Sequence, residues 1–149
     1  MPMRRTAGES GRLISRAGRW AMVAVLASVG CGPSRDEAIE PLEGLFGEAT
    51  PATVRIVHYH GETWGMDPSF AWVLQPIDNA YLKRLIAAKG LQTPPAGDRP
   101  ASVRYAFPSW WDHDRIEALP EVYFDDSQGL RRIWVDRSNN QLFIEFIGT

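Results

Sequence analysis

Two histidines and a glutamate in the stretch "HYHGET" are the residues whose types and spacing best suit the binding of a metal ion. His58, His60 and Glu62 lie two residues apart, so an extended backbone would direct all three to one side. Imidazole and carboxylate groups are common ligands of zinc and related metals, and His113 could add a ligand from a distant segment. Because H-x-H is a common pattern and Gly61 interrupts the strand before Glu62, metal binding by the three histidines is only an alternative. We expect no cofactor.

Adjacent tryptophans in "FPSWWDHD" are a second candidate site. Neighbouring side chains leave a regular element in different directions, so we expect one of Trp110 and Trp111 to be buried and the other partly exposed. A rigid, exposed indole is a frequent contact for a peptide, a sugar or a partner protein. The alternative is that both rings only close the open end of a small sheet. Trp110 and Trp111 are therefore our candidate ligand or partner contacts.

Catalytic patterns are missing from the sequence. It has no G-x-S-x-G elbow and no phosphate-binding loop, and neither Ser69 nor Ser109 lies in a context that marks a nucleophile. No spacing distinguishes a catalytic pair among the acidic residues. We expect a protein that is not an enzyme.

The single cysteine, Cys31, follows an apolar run, "WAMVAVLASVG", at residues 20–30, which itself follows an arginine-rich stretch. Eleven residues are too few for a membrane-spanning helix, which needs about 20, but they suit the apolar region of a secretory signal. Small residues directly before Cys31 resemble the lipobox of bacterial lipoproteins, although Ser28 stands where that family usually has leucine. The resemblance implies that the Cys31 thiol receives a diacylglyceryl group, and that the chain is cut before this residue and acylated at its new amino terminus.

This resemblance predicts a signal peptide at residues 1–30, a lipidated cysteine and flexible acidic tether at 31–51, and one domain at 52–149. The alternatives are a plain secretory signal or N-terminal anchor with an incidental cysteine, or a twin-arginine signal at Arg4 and Arg5. The predicted location is the cell envelope. In one large bacterial group, an aspartate directly after the lipidated cysteine resembles a signal for retention in the inner membrane. Gly32 stands at that position here, so the resemblance favours the outer membrane over the inner membrane.

Charge is distributed unevenly along the chain. After Cys31 there are 11 basic and 17 acidic residues, so no basic stripe remains to neutralise a phosphate backbone. We therefore expect no nucleic-acid partner and a membrane contact through the lipid.

The elements predict an α+β domain in two layers, with an antiparallel sheet of about five to six strands. The main helix, at about 78–89, has Asp78 as N-cap and Gly90 as C-terminal stop, and a short helix follows near 110–118. The predicted strands are "TVRIVHYH", "SFAWVLQP", "VRYAF", "EVYFD", "LRRIWVD" and "QLFIEFI". In the first, strict alternation would place Ile56 on the face of His58 and His60. In the tether, apolar residues at helical spacing leave open a short docked helix.

The segments "PSWWD", "EVYF" and the hairpin from "IWVD" to "LFIEF" resemble small exported bacterial domains, over about the last fifty residues. That resemblance implies a fold but no activity. Our leading hypothesis is a membrane-anchored lipoprotein whose domain is a non-catalytic binding or envelope-associated module. The alternatives are a metal-binding protein, and an envelope inhibitor or immunity-type protein that acts through its acidic surface.

Overall fold

Five antiparallel strands form the centre of the domain, in the order β1-β2-β5-β4-β3. The computed structural model describes residues 34–63, 67–104 and 107–148. The strands are β1 (Arg55–Glu62), β2 (Ser69–Gln75), β3 (Glu121–Asp125), β4 (Leu130–Asp136) and β5 (Gln141–Ile147), and the helices are α1 (Arg35–Phe46), α2 (Asn79–Lys89) and α3 (His113–Glu117). An open antiparallel sheet of five strands with helices is an α+β fold, as the sequence predicts.

Helix α2 has the ends that the sequence predicts. The Asp78 carboxylate accepts hydrogen bonds from the backbone N–H groups of Ala80 and Tyr81, and Gly90 closes the helix with a left-handed φ of 63°. Side chains of α2 pack with those of α1 on one face of the sheet, around Trp72 and Leu74.

Helix α1 differs from the flexible tether predicted for residues 31–51. Ser34 and Glu37 form a capping box at its start, and Leu42 and Phe46 are buried in the core below the sheet. The indole N–H of Trp72 donates to the backbone carbonyl of Ala38 at 2.8 Å, which ties the helix to β2. The docked helix considered as an alternative is therefore the observed structure, because burying its apolar side outweighs its acidic and proline-containing composition.

The opposite face of the sheet is also covered, so the domain has three layers rather than the predicted two. The loop before α3, which we call the covering loop (described residues 101–104 and 107–112), packs on this face together with Ile116 of α3. Trp111 of this loop and Trp134 of β4 belong to the second apolar cluster that results. The described residues of "VRYAF" (103, 104 and 107) belong to this covering layer and form no strand, which reduces the predicted six strands to five.

None of the helices in the described residues is long and apolar enough to span a membrane. The predicted signal peptide, with Cys31, lies outside the residues that the structure describes.

Candidate functional site: a groove around the edge strand

Strand β1 lies at one edge of the sheet and contains an irregularity at Val57. Ile56 pairs with Leu74 and His58 pairs with Val73, so Val57 is an extra residue in a β-bulge. The bulge reverses the alternation, because Ile56 and Tyr59 both pack on the side of α1 and α2. The expectation that Ile56 shares a face with His58 and His60 is therefore wrong.

A groove of about 570 Å³ lies along this irregular edge. Its lining comes from α1, from β1 and from the covering loop: Arg35, Ala38, Arg55, Ile56, Val57, His58, Tyr59 and Trp110. Val57 has 40% of its surface exposed, and is the one large apolar side chain so exposed among the described residues. The lining side chains come from both faces of the sheet, with Ile56 and Tyr59 on the side of α1 and the stacked rings of His58 and Trp110 on the other.

The two adjacent tryptophans have different roles. Trp111 is 2% exposed, packs edge-on against Trp134 and Phe143, and donates its indole N–H to the Ser102 hydroxyl at 2.8 Å. Trp110 is only partly buried and stacks on the His58 ring, with the centroids 5.0 Å apart. One indole is thus buried and the other lines the groove, so only Trp110 is positioned to contact a ligand.

Two arginines give the groove its charge. Of the nine arginines in the described residues, six form ion pairs with carboxylates and Arg99 donates to backbone carbonyls. The remaining two, Arg35 and Arg55, form no ion pair with another described residue, and both line the groove. Lys83 and Lys89 of α2 also form no ion pair with a described residue, but they do not line the groove, so the two unpaired guanidinium groups distinguish this surface.

Tyr59 forms part of the groove wall on the α1 side. Its ring packs against Trp72 with the centroids 5.8 Å apart. Partial burial, with a smaller contribution from the nearby Glu37 carboxylate, raises the pKa of the Tyr59 hydroxyl. The phenol therefore remains neutral at physiological pH.

The three histidines do not come together as a metal site. The described residues contain no group of three or more histidine, cysteine, aspartate or glutamate side chains that could hold an ion. His58 stacks on Trp110, His60 contacts Phe107 edge-on, and the His113 Nδ1 lies 2.9 Å from the Ser102 hydroxyl. The residues predicted as ligands therefore contribute to packing and to a buried polar network.

That network was not predicted from the sequence, and it contains the residue types of a hydrolase triad. The Ser102 hydroxyl lies 2.9 Å from His113 Nδ1 and 3.2 Å from Glu145 Oε1. In a catalytic triad the acid orients the histidine, whereas here Glu145 bonds to the serine itself. Ser102 is also 4% exposed and its oxygen accepts from Trp111. This geometry suits a structural support and does not present a nucleophile to a substrate.

Glu145 holds the covering loop against the sheet. It is completely buried on β5, accepts from the backbone N–H of Val103 at 2.8 Å, and pairs with Arg132, which also donates to the backbone carbonyl of Ala101. Burial raises the pKa of Glu145, while these donors act in the opposite direction. A charged residue within the apolar stretch "LFIEFI" is the sequence signal that could have indicated this network.

Comparison with protein-family models, with curated proteins and with solved structures finds no match to the chain.

Proposed function

We propose that this chain is a bacterial envelope lipoprotein, anchored through lipidated Cys31, whose folded domain is a non-catalytic binding module. The observation that carries the binding role is the groove at the β1 edge, where exposed Val57 and partly buried Trp110 lie beside two arginines that form no ion pair with another described residue. The anchor rests on the small residues that precede Cys31 and on the apolar run before them. The proposed cellular location is the cell envelope, with the outer membrane preferred over the inner membrane.

A groove of this composition suits binding without chemistry. Aromatic and apolar walls bury the flat or apolar part of a ligand, and guanidinium groups orient an anionic part. Hydrolysis would need an accessible nucleophile next to a base, but the described serine and histidine that lie in contact, Ser102 and His113, are not part of the groove lining.

Metabolic labelling tests the anchor. Bacteria that express the full chain are grown with a radioactive fatty acid, in parallel with bacteria that express the Cys31→Ser variant. We expect label on the unaltered chain and none on the variant, together with a larger, uncut product. Equal labelling of both chains would contradict lipidation at Cys31.

Capture from envelope extract tests the groove. The full chain, its Trp110→Ala variant and its Glu40→Ala variant are immobilised, and bound lipids and proteins are identified by mass spectrometry. Glu40 is an exposed residue of α1 outside the groove lining, so its variant is a matched surface control. We expect Trp110→Ala alone to lose the captured component. If all three chains capture the same material, the groove is not the binding surface.

A further inference from the structure

We propose that the groove at the β1 edge binds the headgroup of an anionic phospholipid in the same membrane that holds the lipid anchor. This inference rests on the proposed function, because it takes Cys31 as the point of membrane attachment. It adds the identity of the occupant and the orientation of the domain.

The length of chain between the anchor and the groove is the first argument. Arg35 begins α1, lines the groove and follows Cys31 by only four residues. Fully extended, four residues span about 14 Å, so the Arg35 backbone cannot lie further than that from the Cα of Cys31. A cysteine with its acyl chains in the bilayer therefore keeps this end of the groove close to the lipid headgroups.

Charge is the second argument. Arg35 and Arg55 are the two arginines that neither pair with a carboxylate nor bond to a backbone carbonyl among the described residues, and both face one groove. Guanidinium groups bind phosphate through paired hydrogen bonds, and a membrane surface supplies phosphate at high local concentration. The remainder of the domain has an excess of acidic residues and would be repelled by anionic headgroups, which favours an approach through the groove.

The apolar lining is the third argument. Trp and Tyr side chains concentrate at the level of lipid headgroups, where one end of the ring is apolar and the other meets water. Trp110 and Tyr59 line the groove with Val57, whose exposure is otherwise unexplained. Beside a phosphate held by the arginines, these side chains would contact the glycerol and the upper part of the acyl chains.

Titration with a short-chain lipid tests this inference on the full chain in dodecyl maltoside. The probes are dihexanoyl phosphatidylglycerol, dihexanoyl phosphatidylcholine and inorganic phosphate, each followed through the indole N–H signal of Trp110 in nitrogen-labelled protein. The Trp110→Phe variant assigns that signal. We expect a saturable shift with phosphatidylglycerol, and affinities at least about tenfold lower for phosphatidylcholine and for phosphate alone, because each lacks part of the matching chemistry.

Charge variants complete the test. The Arg35→Gln/Arg55→Gln double variant should bind phosphatidylglycerol about 25-fold more weakly, or about fivefold for each cation lost. Lys83→Gln/Lys89→Gln removes the same charge from α2, outside the groove lining, and should leave the affinity unchanged. Unchanged signals elsewhere in the spectrum verify that both variants are folded.

Other outcomes overturn the inference. Equal binding of phosphatidylcholine would make the groove a general apolar surface, and equal binding of phosphate would make it a site for free anions. A hexaglutamate peptide is titrated as a fourth probe, and its tighter binding would assign the groove to acidic polypeptides. No shift with any of the four probes would refute a ligand of this class. A chain that incorporates fatty acid at Cys31 but fails these titrations keeps its anchor and loses only the proposed occupant, so the two failures are distinguishable.

Discussion

Trp110 and Trp111 are neighbours in sequence, yet their side chains have different energetic roles. Trp111 is buried among aromatic rings and its indole N–H is hydrogen-bonded, whereas Trp110 lies over His58 at the groove. Substitution of Trp111 should therefore mainly reduce stability, and substitution of Trp110 should mainly reduce binding.

We expect Trp111→Ala to lower the free energy of unfolding by about 3–5 kcal/mol, since it opens a large cavity and removes the hydrogen bond from the indole N–H to the Ser102 hydroxyl. Trp110→Ala should cost roughly 1 kcal/mol, because its ring is already partly in water. Urea denaturation of both variants measures the difference. Similar costs at the two positions would mean that Trp110 also belongs to the core.

Asp136 is a second residue whose environment predicts a measurable effect. Its burial alone would raise its pKa, but hydrogen bonds from Ser138, Asn139 and Arg115 outweigh burial and hold the pKa well below the ordinary value of 3.8. A carboxyl with a lowered pKa stabilises the folded state above its unfolded pKa, and this contribution is lost as the pH falls toward the folded pKa.

We therefore expect Asp136→Asn to cost about 2–3 kcal/mol of unfolding free energy at pH 7, with the difference from the unaltered protein shrinking below about pH 4. Chemical denaturation at a series of pH values measures this. Asp98→Asn, at an exposed loop position, is the control and should leave the free energy of unfolding at pH 7 unchanged. A constant difference at all pH values would exclude the ionised carboxylate as the cause.

At the scale of elements, the two long helices differ in how far the sequence predicts them. Helix α2 follows from local signals, the Asp78 cap and the Gly90 stop, which the structure confirms. Helix α1 carries Pro41 in its interior and its acidic residues are typical of a linker, so its composition opposes the helix. Its support comes from contacts with distant residues such as Trp72, which no local pattern contains.

Leu42→Ala should lower the free energy of unfolding by about 2–4 kcal/mol, because this α1 side chain is fully buried in the core. Glu40→Ala, on the exposed side of the same helix, should change it by less than about 0.5 kcal/mol. Thermal and urea unfolding compare the two. If Leu42→Ala has no effect, α1 acts as the tether that its composition suggests.

The bulge in β1 shows the same limit for strands. Alternation of side chains predicts faces only where pairing is regular, and the extra residue at Val57 is defined by the register with β2 rather than by β1 itself. Ile56 and Tyr59 consequently lie on the same face, whereas strict alternation would place them on opposite faces.

At the scale of the whole molecule, the fold class is predictable from strand and helix patterns, but the groove is not. Its lining comes from α1, β1 and Trp110, segments that only the folded chain brings together. For the same reason, His58 and Trp110 were separate candidates in the sequence, although their rings stack in the structure.

The short connection between Cys31 and α1 predicts an effect on the entire protein. If Cys31 is the lipid anchor that we propose, inserting twenty glycine and serine residues after Gly32 should release the domain from the membrane surface without altering its fold. In vesicles that contain brominated phosphatidylglycerol, we expect the insertion to reduce quenching of Trp110 fluorescence at least about twofold, measured as the difference from the Trp110→Phe chain. Equal quenching with and without the insertion would show that the short connection does not position the groove.

The two edges of the sheet also set a limit on self-association. Backbone hydrogen bonds in both directions join Gln92 to Phe124, which occupies part of the β3 edge, while the outer edge of β1 pairs with no other described strand. Growth of a fibril by strand addition consumes two free edges per molecule, one for each neighbour. Among the described residues only β1 has a fully open edge, and pairing of this edge with that of a second copy would leave no fully open edge for a third.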